Sequence, residues 1–146
     1  RGESKVRQPW FHHSTEVAAV GLFFPPTDLV DYGGCRFDFA RGGDHAVPRL
    51  LFSDGIGTHT ESEIEVAARA ISPLHQIQGS HPPFFVTHAT GDDVVPYSQS
   101  KRFVEALSAA GVDGTLITHE GAGHPWRTVA EECVQMASWF SQRLGS

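Results

Sequence analysis

Three short apolar runs, each bounded by turn-forming residues, most strongly constrain how this chain can fold. They are VAAVGLFF at 17–24, PFFVTH at 83–88 and GTLITH at 114–119. Runs of this length with few charges are typical of strands that are buried on both faces of a sheet. Helical patterns separate the runs, and such alternation requires parallel strands joined by right-handed crossovers. The order therefore predicts an α/β fold with three parallel strands and flanking helices.

Two of the expected helices lie between these strands. A Thr-x-x-Glu capping box at Thr60 and Glu63 predicts a helix that ends near Ala70. Apolar residues recur at helical spacing over 97–110, and Gly111 supplies a stop signal directly after them. Each helix therefore follows a strand, as the parallel arrangement requires.

A last helix is expected after the third strand, because one apolar stripe continues almost to the end of the chain. Its members are Trp126, Val129, Ala130, Cys133, Ala137, Phe140 and Leu144. Cys133 lies on this stripe, so it is expected to be buried and unreactive.

The first two strands are separated by a long segment that predicts a lid-like insertion at about 28–80. Its first part, 28–57, is rich in glycine and aromatic residues and has no period, so irregular structure with one short helix is expected. Loops of that length in a compact domain are usually functional. Arg36 and Arg41 could bind a substrate carboxylate there, although solvated charge is the simpler interpretation.

Length and charge exclude several classes of function. The chain has 146 residues, which suits one domain, and carries a net charge of -6 from 11 basic and 17 acidic residues. This balance argues against nucleic acid or an anionic membrane as the main partner. No apolar run approaches the roughly 20 residues needed to span a bilayer, and no signal peptide is visible. Two cysteines do not make a disulfide framework, and the compartment remains open.

Polar side chains follow the last two strands at the edge where an open α/β sheet binds ligands. Asp92 and Asp93 come after the strand ending at His88, and His124 comes after the strand ending at His119. Neighbouring parallel strands bring these loops together. An aspartate there can accept the ring N–H of His124, fix its tautomer and stabilise the imidazolium.

These motifs resemble the C-terminal half of an α/β-hydrolase of the esterase and prolyl-oligopeptidase-like kind. The resemblance is carried by HATGDDVVPYSQS at 88–100, HEGAGH at 119–124 and FFPPTDLVDYGG at 23–34, and it extends over about 13–144. It implies a serine hydrolase that acts on a small ester or a short peptide without a cofactor. It also implies that Asp92 and His124 are the acid and base of the catalytic triad.

The chain departs from the family pattern most seriously at the nucleophile. No Gly-x-Ser-x-Gly elbow is present, and the nearest match, GESKV, has Val6 in place of the second glycine. Ala89 also stands where glycine is usual. We therefore expect 1–146 to be a partial α/β-hydrolase domain that lacks the N-terminal strands and the serine, and to be inactive alone.

Alternatives remain for each site residue. Asp92 could simply cap a turn, and Asp93 is a less favoured choice for the triad acid. His88 is better explained as a packed, hydrogen-bonded histidine than as a catalytic one. HEGAGH resembles the zinc motif H-E-x-x-H, but His119 and His124 are five residues apart and glycines interrupt any helix, so no metal site is expected.

The function therefore has competing interpretations. The first is a serine hydrolase, either carboxylesterase or peptidase-like. The alternative is a non-catalytic binding module or pseudoenzyme of the same fold, and a metal-binding protein is a distant third. If the first strand lacks a neighbour, residues 17–24 expose an apolar edge, and self-association through that edge is expected.

Overall fold

A computed structural model describes residues 14, 16–37, 51–53, 55, 57–121, 123–124, 127 and 129–145. The expectations for Arg41 and for Trp126 lie outside the described residues. Within the described residues, no helix is long and apolar enough to cross a bilayer.

The central element is a parallel three-stranded sheet in the order β1-β2-β3. The strands are β1 at Val20–Phe23, β2 at Phe84–Ala89 and β3 at Gly114–His119. β2 lies in the middle and carries most of the buried strand residues, which explains its nearly continuous apolar sequence. The predicted class, strand number and strand direction are confirmed.

β1 pairs with β2 alone among the strands that the structure describes. Its four residues are only half-buried, and Val17, just before it, is 60% exposed. An edge strand presents unpaired backbone N–H and C=O groups that can pair with another chain. We therefore still predict that the isolated chain self-associates through residues 17–24. Light scattering across a concentration series tests this, and a monodisperse monomer at high concentration would contradict it.

Among the described residues, three α-helices connect and flank the strands, and their bounds agree with the predicted segments to within a turn. They are α1 at Glu61–Ile71, α2 at Ser98–Ala109 and α3 at Val129–Leu144, with a short 3-10 helix at Pro73–Gln76. α1 begins with the expected capping box. The Thr60 backbone N–H donates to Glu63 Oε2 at 2.7 Å, and Thr60 Oγ1 accepts the Glu63 N–H at 3.3 Å.

The core that supports the site lies between the sheet and α2. Val86, Phe103, Leu107 and Val112 form one buried cluster. Burial of this apolar surface fixes α2 beneath β2 and β3. The first turn of α2 consequently lies next to the loop that follows β2.

α3 packs against the other face of the sheet, but not with the predicted stripe. Cys133 is exposed, whereas Glu132 and Met136 are buried. Two contacts explain the rotation of the helix. Glu132 pairs with His119 at 3.1 Å, and Met136 fills the space above Gly21, where a β-carbon would clash. The prediction of a buried Cys133 was therefore wrong, because the helix directs a paired carboxylate inward.

Candidate active site

Asp92 lies in the loop between β2 and α2, and its side chain is fully buried, with 0% exposure. Its Oδ1 accepts the backbone N–H groups of Val94 at 2.9 Å and Val95 at 2.8 Å. These two bonds fix the plane of the carboxylate. The second oxygen, Oδ2, is thereby directed at His124.

His124 follows β3 and reaches Asp92 across the sheet edge. Its Nδ1 lies 2.8 Å from Asp92 Oδ2, and its side chain is 22% exposed. A carboxylate only accepts hydrogen bonds, so Nδ1 carries the proton and Nε2 is the nitrogen that can take one up. The structure thus brings together the two residues that the sequence singled out. Asp93, by contrast, is exposed.

Thr90 ties the two loops together, a role that sequence reasoning missed. Its backbone N–H donates to the His119 carbonyl at 2.8 Å, which extends the β2–β3 pairing by one residue. Its hydroxyl accepts the Gly121 N–H at 2.9 Å and donates to Glu120 Oε2 at 3.1 Å. Gly121 has a φ of +69°, a conformation that glycine adopts without strain. The loop carrying His124 is therefore held in place at its start.

Phe24 forms one wall beside the imidazole and was also missed. Its ring centroid lies 4.3 Å from that of His124, with the planes at 64°. Phe24 has a φ of +39°, which is unusual for a bulky residue. Its N–H donates to the Thr87 carbonyl at 2.9 Å, so the backbone is held there by the neighbouring strand. Strained residues of this kind cluster at functional sites.

Because φ is positive at Phe24, glycine is predicted to be tolerated better than alanine at this position. Phe24→Gly and Phe24→Ala both remove the ring, but only glycine is relaxed at positive φ. We expect the glycine variant to be more stable than the alanine variant by about 1 kcal/mol. Urea unfolding of the two variants measures the difference. An alanine variant as stable as the glycine variant would show that the positive φ is not held.

His88 lies on β2 next to the Asp92 carboxylate, and its side chain is 0% exposed. Its Nε2 is 2.9 Å from the Val95 carbonyl and 3.4 Å from Asp92 Oδ2. Its Nδ1 is 2.7 Å from Ser100 Oγ. The histidine is therefore packed and hydrogen-bonded, as expected.

The two buried groups, Asp92 and His88, both have pKa values below their usual ones. Burial raises the pKa of Asp92, but the N–H groups of Val94 and Val95 together with His124 outweigh it, so the pKa lies below its usual value. Burial also lowers the pKa of His88, and the opposing contacts with Val95 and Asp92 do not offset it. At neutral pH Asp92 is ionised and His88 is uncharged.

These directions predict a loss of stability in acid. The folded pKa of His88 lies below the ordinary 6.5, so its contribution is present above pH 6.5 and is lost as the pH falls through the folded value. The contribution of Asp92 is present above its ordinary 3.8 and is lost further into acid. Urea unfolding at a series of pH values should therefore show a decline that begins below pH 6.5. His88→Gln should flatten that first decline, and an unchanged slope would contradict the assignment.

The residues considered for metal binding are used differently. His119 Nε2 lies 3.1 Å from Glu132 Oε1 and 3.1 Å from Thr87 Oγ1, on the side chains of α3 and β2. Arg36, which was considered for binding a substrate carboxylate, instead forms an exposed ion pair with Glu61. Within the described parts of the chain, no three His, Cys, Asp or Glu side chains lie close enough to hold a metal ion.

Comparison with known proteins identifies the family. A family model described as BD-FAE matches residues 3–107, well over half of the chain. The chain belongs to the BD-FAE family. It is an esterase-like α/β-hydrolase, and the matched range includes Asp92 and ends before His124.

Individual relatives agree with this assignment. Esterase LipQ of Mycobacterium tuberculosis is 30% identical over 105 residues, which are 71% of this chain and 23% of LipQ. A truncated carbohydrate esterase from gut microbiota is 28% identical with a TM-score of 0.59, over 74% of this chain and 35% of that one. A puromycin-hydrolyzing peptidase of Mycobacterium tuberculosis is 26% identical with a TM-score of 0.64, over 87% of this chain and 18% of that one. The BD-FAE chain thus spans less than half the length of each.

Proposed function

We propose that this BD-FAE chain supplies the acid and the base of a serine esterase, with Asp92 as the acid and His124 as the base. The observation that carries the proposal is the 2.8 Å contact between His124 Nδ1 and the buried Asp92 Oδ2. The other oxygen of that carboxylate is held by backbone N–H groups, so the pair is oriented before any substrate binds. The nucleophilic serine and the oxyanion donors lie in residues outside this chain.

The proposed roles account for each proton that moves. Asp92 keeps the Nδ1 proton of His124 in place, so Nε2 takes the proton of the serine hydroxyl as its oxygen attacks the ester carbonyl. The imidazolium that forms is stabilised by the buried carboxylate. His124 then returns the proton to the alkoxide that leaves as the ester C–O bond breaks. Water repeats the sequence on the acyl-enzyme and regenerates the serine.

The substrate we propose is an ester of a small molecule. LipQ and the truncated gut protein are both named as esterases, which favours ester over amide bonds. The puromycin-hydrolyzing peptidase shows that a similar fold also acts as a peptidase. The Phe24 ring at 4.3 Å from His124 adds an apolar wall next to the base, which suits an acyl or aromatic group.

A second candidate is a non-catalytic binding module with the same pocket walls. The observation that favours it is the absence of a Gly-x-Ser-x-Gly elbow from the sequence. The binding-module hypothesis predicts that these residues do not share a polypeptide with a nucleophilic serine. The serine esterase predicts one polypeptide that contains both.

Labelling with a fluorophosphonate, followed by intact mass and peptide mapping, separates these outcomes. This chain alone should give no adduct, whereas the complete polypeptide should give one adduct at a serine upstream of Arg1. That adduct should disappear in the complete polypeptide carrying His124→Gln. One stoichiometric adduct on a serine within residues 1–146 would mean that the nucleophile lies in this chain. Labelling that survives His124→Gln would mean that His124 is not the base.

A further inference from the structure

We propose that His88 is a positioning residue for the reaction: as a neutral imidazole it holds the turn that carries Asp92 and leaves the aspartate charge to His124. This inference rests on the proposed function, because it concerns the same pair. His88 does not face the reacting atoms. It acts through Asp92.

A closed ring of contacts links His88 to Val95 and Asp92. His88 Nε2 lies 2.9 Å from the Val95 carbonyl, and the Val95 N–H donates to Asp92 Oδ1 at 2.8 Å. The other oxygen of that carboxylate, Asp92 Oδ2, lies 3.4 Å from His88 Nε2 and closes the ring. The turn from Asp92 to Val95 is therefore clamped from inside the protein. Loss of the imidazole N–H would leave a buried carbonyl without its partner and loosen the turn.

The partners of His88 also define its tautomer. The Val95 carbonyl only accepts hydrogen bonds, so Nε2 of His88 carries the proton. Nδ1 is then the acceptor for the hydroxyl of Ser100 on α2, at 2.7 Å. α2 itself is fixed by the core beneath the sheet. The ring therefore presents its donor nitrogen to the turn and its acceptor nitrogen to α2.

The charge of Asp92 is shared between His88 and His124 only if both imidazoles are charged. Asp92 Oδ2 lies 2.8 Å from His124 Nδ1 and 3.4 Å from His88 Nε2, so one oxygen serves two imidazoles. Two charged imidazoles would compete for it. With His88 uncharged, the carboxylate is left to stabilise the charge that forms on His124.

The surroundings of His88 keep it uncharged. Its side chain is 0% exposed, so the charged form loses its hydration. The groups that face it are Asp92, which favours charge, His124, which opposes it, the Ser100 hydroxyl and the ring of Tyr97 at 5.7 Å. Desolvation outweighs the attraction of Asp92. The ring therefore contributes a dipole to the site and no net charge.

Two substitutions separate positioning from packing. His88→Phe keeps a ring of similar size but removes both nitrogens. His88→Gln provides an amide N–H for Val95 and an amide oxygen for Ser100, and it does not titrate. Ser100→Ala is the matched control, because it removes a buried hydrogen bond of the same histidine and leaves the contacts of Val95 with Asp92 in place.

The measurement is NMR of histidine-labelled full chain, following exchange with water of the Nδ1 proton of His124. His124→Gln assigns this proton by its disappearance. We expect His88→Phe to accelerate the exchange roughly tenfold, as loss of about one hydrogen bond implies. His88→Gln should restore the slow exchange, and Ser100→Ala should leave it close to that of the wild type.

Each outcome has a distinct meaning. If the wild type has no protected Nδ1 proton at His124, the proposed function fails, because the pair is not formed. If the proton is protected and His88→Phe does not change it, His88 is only a packing residue. Equal acceleration in Ser100→Ala would also overturn the inference, since any loss of local stability would then suffice.

A titration of the wild type provides the test if His88→Phe does not fold. As the pH falls, the ring resonances of His88 report its own protonation. The exchange of the His124 Nδ1 proton should accelerate in step with that protonation, since a charged His88 would compete for Asp92. Protonation of His88 with no change at His124 would overturn the inference.

Discussion

For the proposed serine esterase, Asp92→Asn is expected to lower the turnover of the complete polypeptide by about 10⁴-fold with little change in KM. The amide oxygen of asparagine can still accept the N–H groups of Val94 and Val95, so the turn is retained. The amide NH₂ then faces His124 Nδ1 and presents a donor to a donor. The imidazole adopts the other tautomer, and Nε2 no longer accepts the proton of the serine.

Steady-state hydrolysis of a small chromogenic ester by the complete polypeptide measures this effect. Asp93→Asn is the matched control, because it removes the adjacent acid, which is exposed, and should leave turnover within about twofold. An Asp92→Asn enzyme within a few-fold of the wild type would contradict the assignment. A large loss in Asp93→Asn instead would identify the wrong carboxylate.

The sequence was most informative where one local pattern determines the structure. The apolar runs predicted the three strands, and the capping box at Thr60 and Glu63 predicted the start of α1. The meeting of Asp92 and His124 followed from a general rule about strand ends and from the family resemblance. None of these inferences needed the packing of particular side chains.

Predictions from the sequence were wrong or missing where packing between distant segments determines the structure. α3 buries Glu132 because His119, thirteen positions earlier, is its partner, and an apolar stripe cannot indicate that. The positive φ of Phe24 is held by the neighbouring β2, so no local signal marks it. Thr90 looks like an ordinary turn residue until Gly121 is placed beside it. The sequence therefore indicated which residues form the pair but not what holds them.

The start of the segment after β1 is anchored by a second polar cluster that the sequence did not reveal. The Asp28 side chain, 2% exposed, lies 2.8 Å from the Arg102 guanidinium. Its Oδ1 accepts the N–H groups of Val30 at 3.0 Å and Asp31 at 3.1 Å, and the His75 ring lies 3.2 Å away. Burial raises the pKa of Asp28, but its backbone hydrogen bonds together with His75 and Arg102 hold that pKa below the usual value. The carboxylate thus joins three separate segments of the chain.

Gln99 on α2 completes the cluster through its amide. Its Oε1 accepts the N–H groups of Thr27 at 2.9 Å and Asp28 at 2.6 Å, and its Nε2 donates to the Asp31 carbonyl at 2.8 Å. Buried backbone groups outside helices and strands need such partners. The cluster therefore fixes the chain directly after Phe24, which forms one wall of the site.

Asp28→Ala is expected to lower the free energy of unfolding by about 3 kcal/mol, the low end of the range for a broken buried pair. The loss is at the low end of that range because Arg102 is 36% exposed and can turn toward water. A loss remains because two backbone N–H groups and His75 cannot replace the missing carboxylate. Asp31→Ala is the control, since Asp31 also pairs with Arg102 but its side chain is 50% exposed, and it should cost less than about 1 kcal/mol. Urea unfolding at neutral pH measures both. Equal losses would mean that the charge on Arg102, rather than the buried hydrogen bonds of Asp28, anchors this segment.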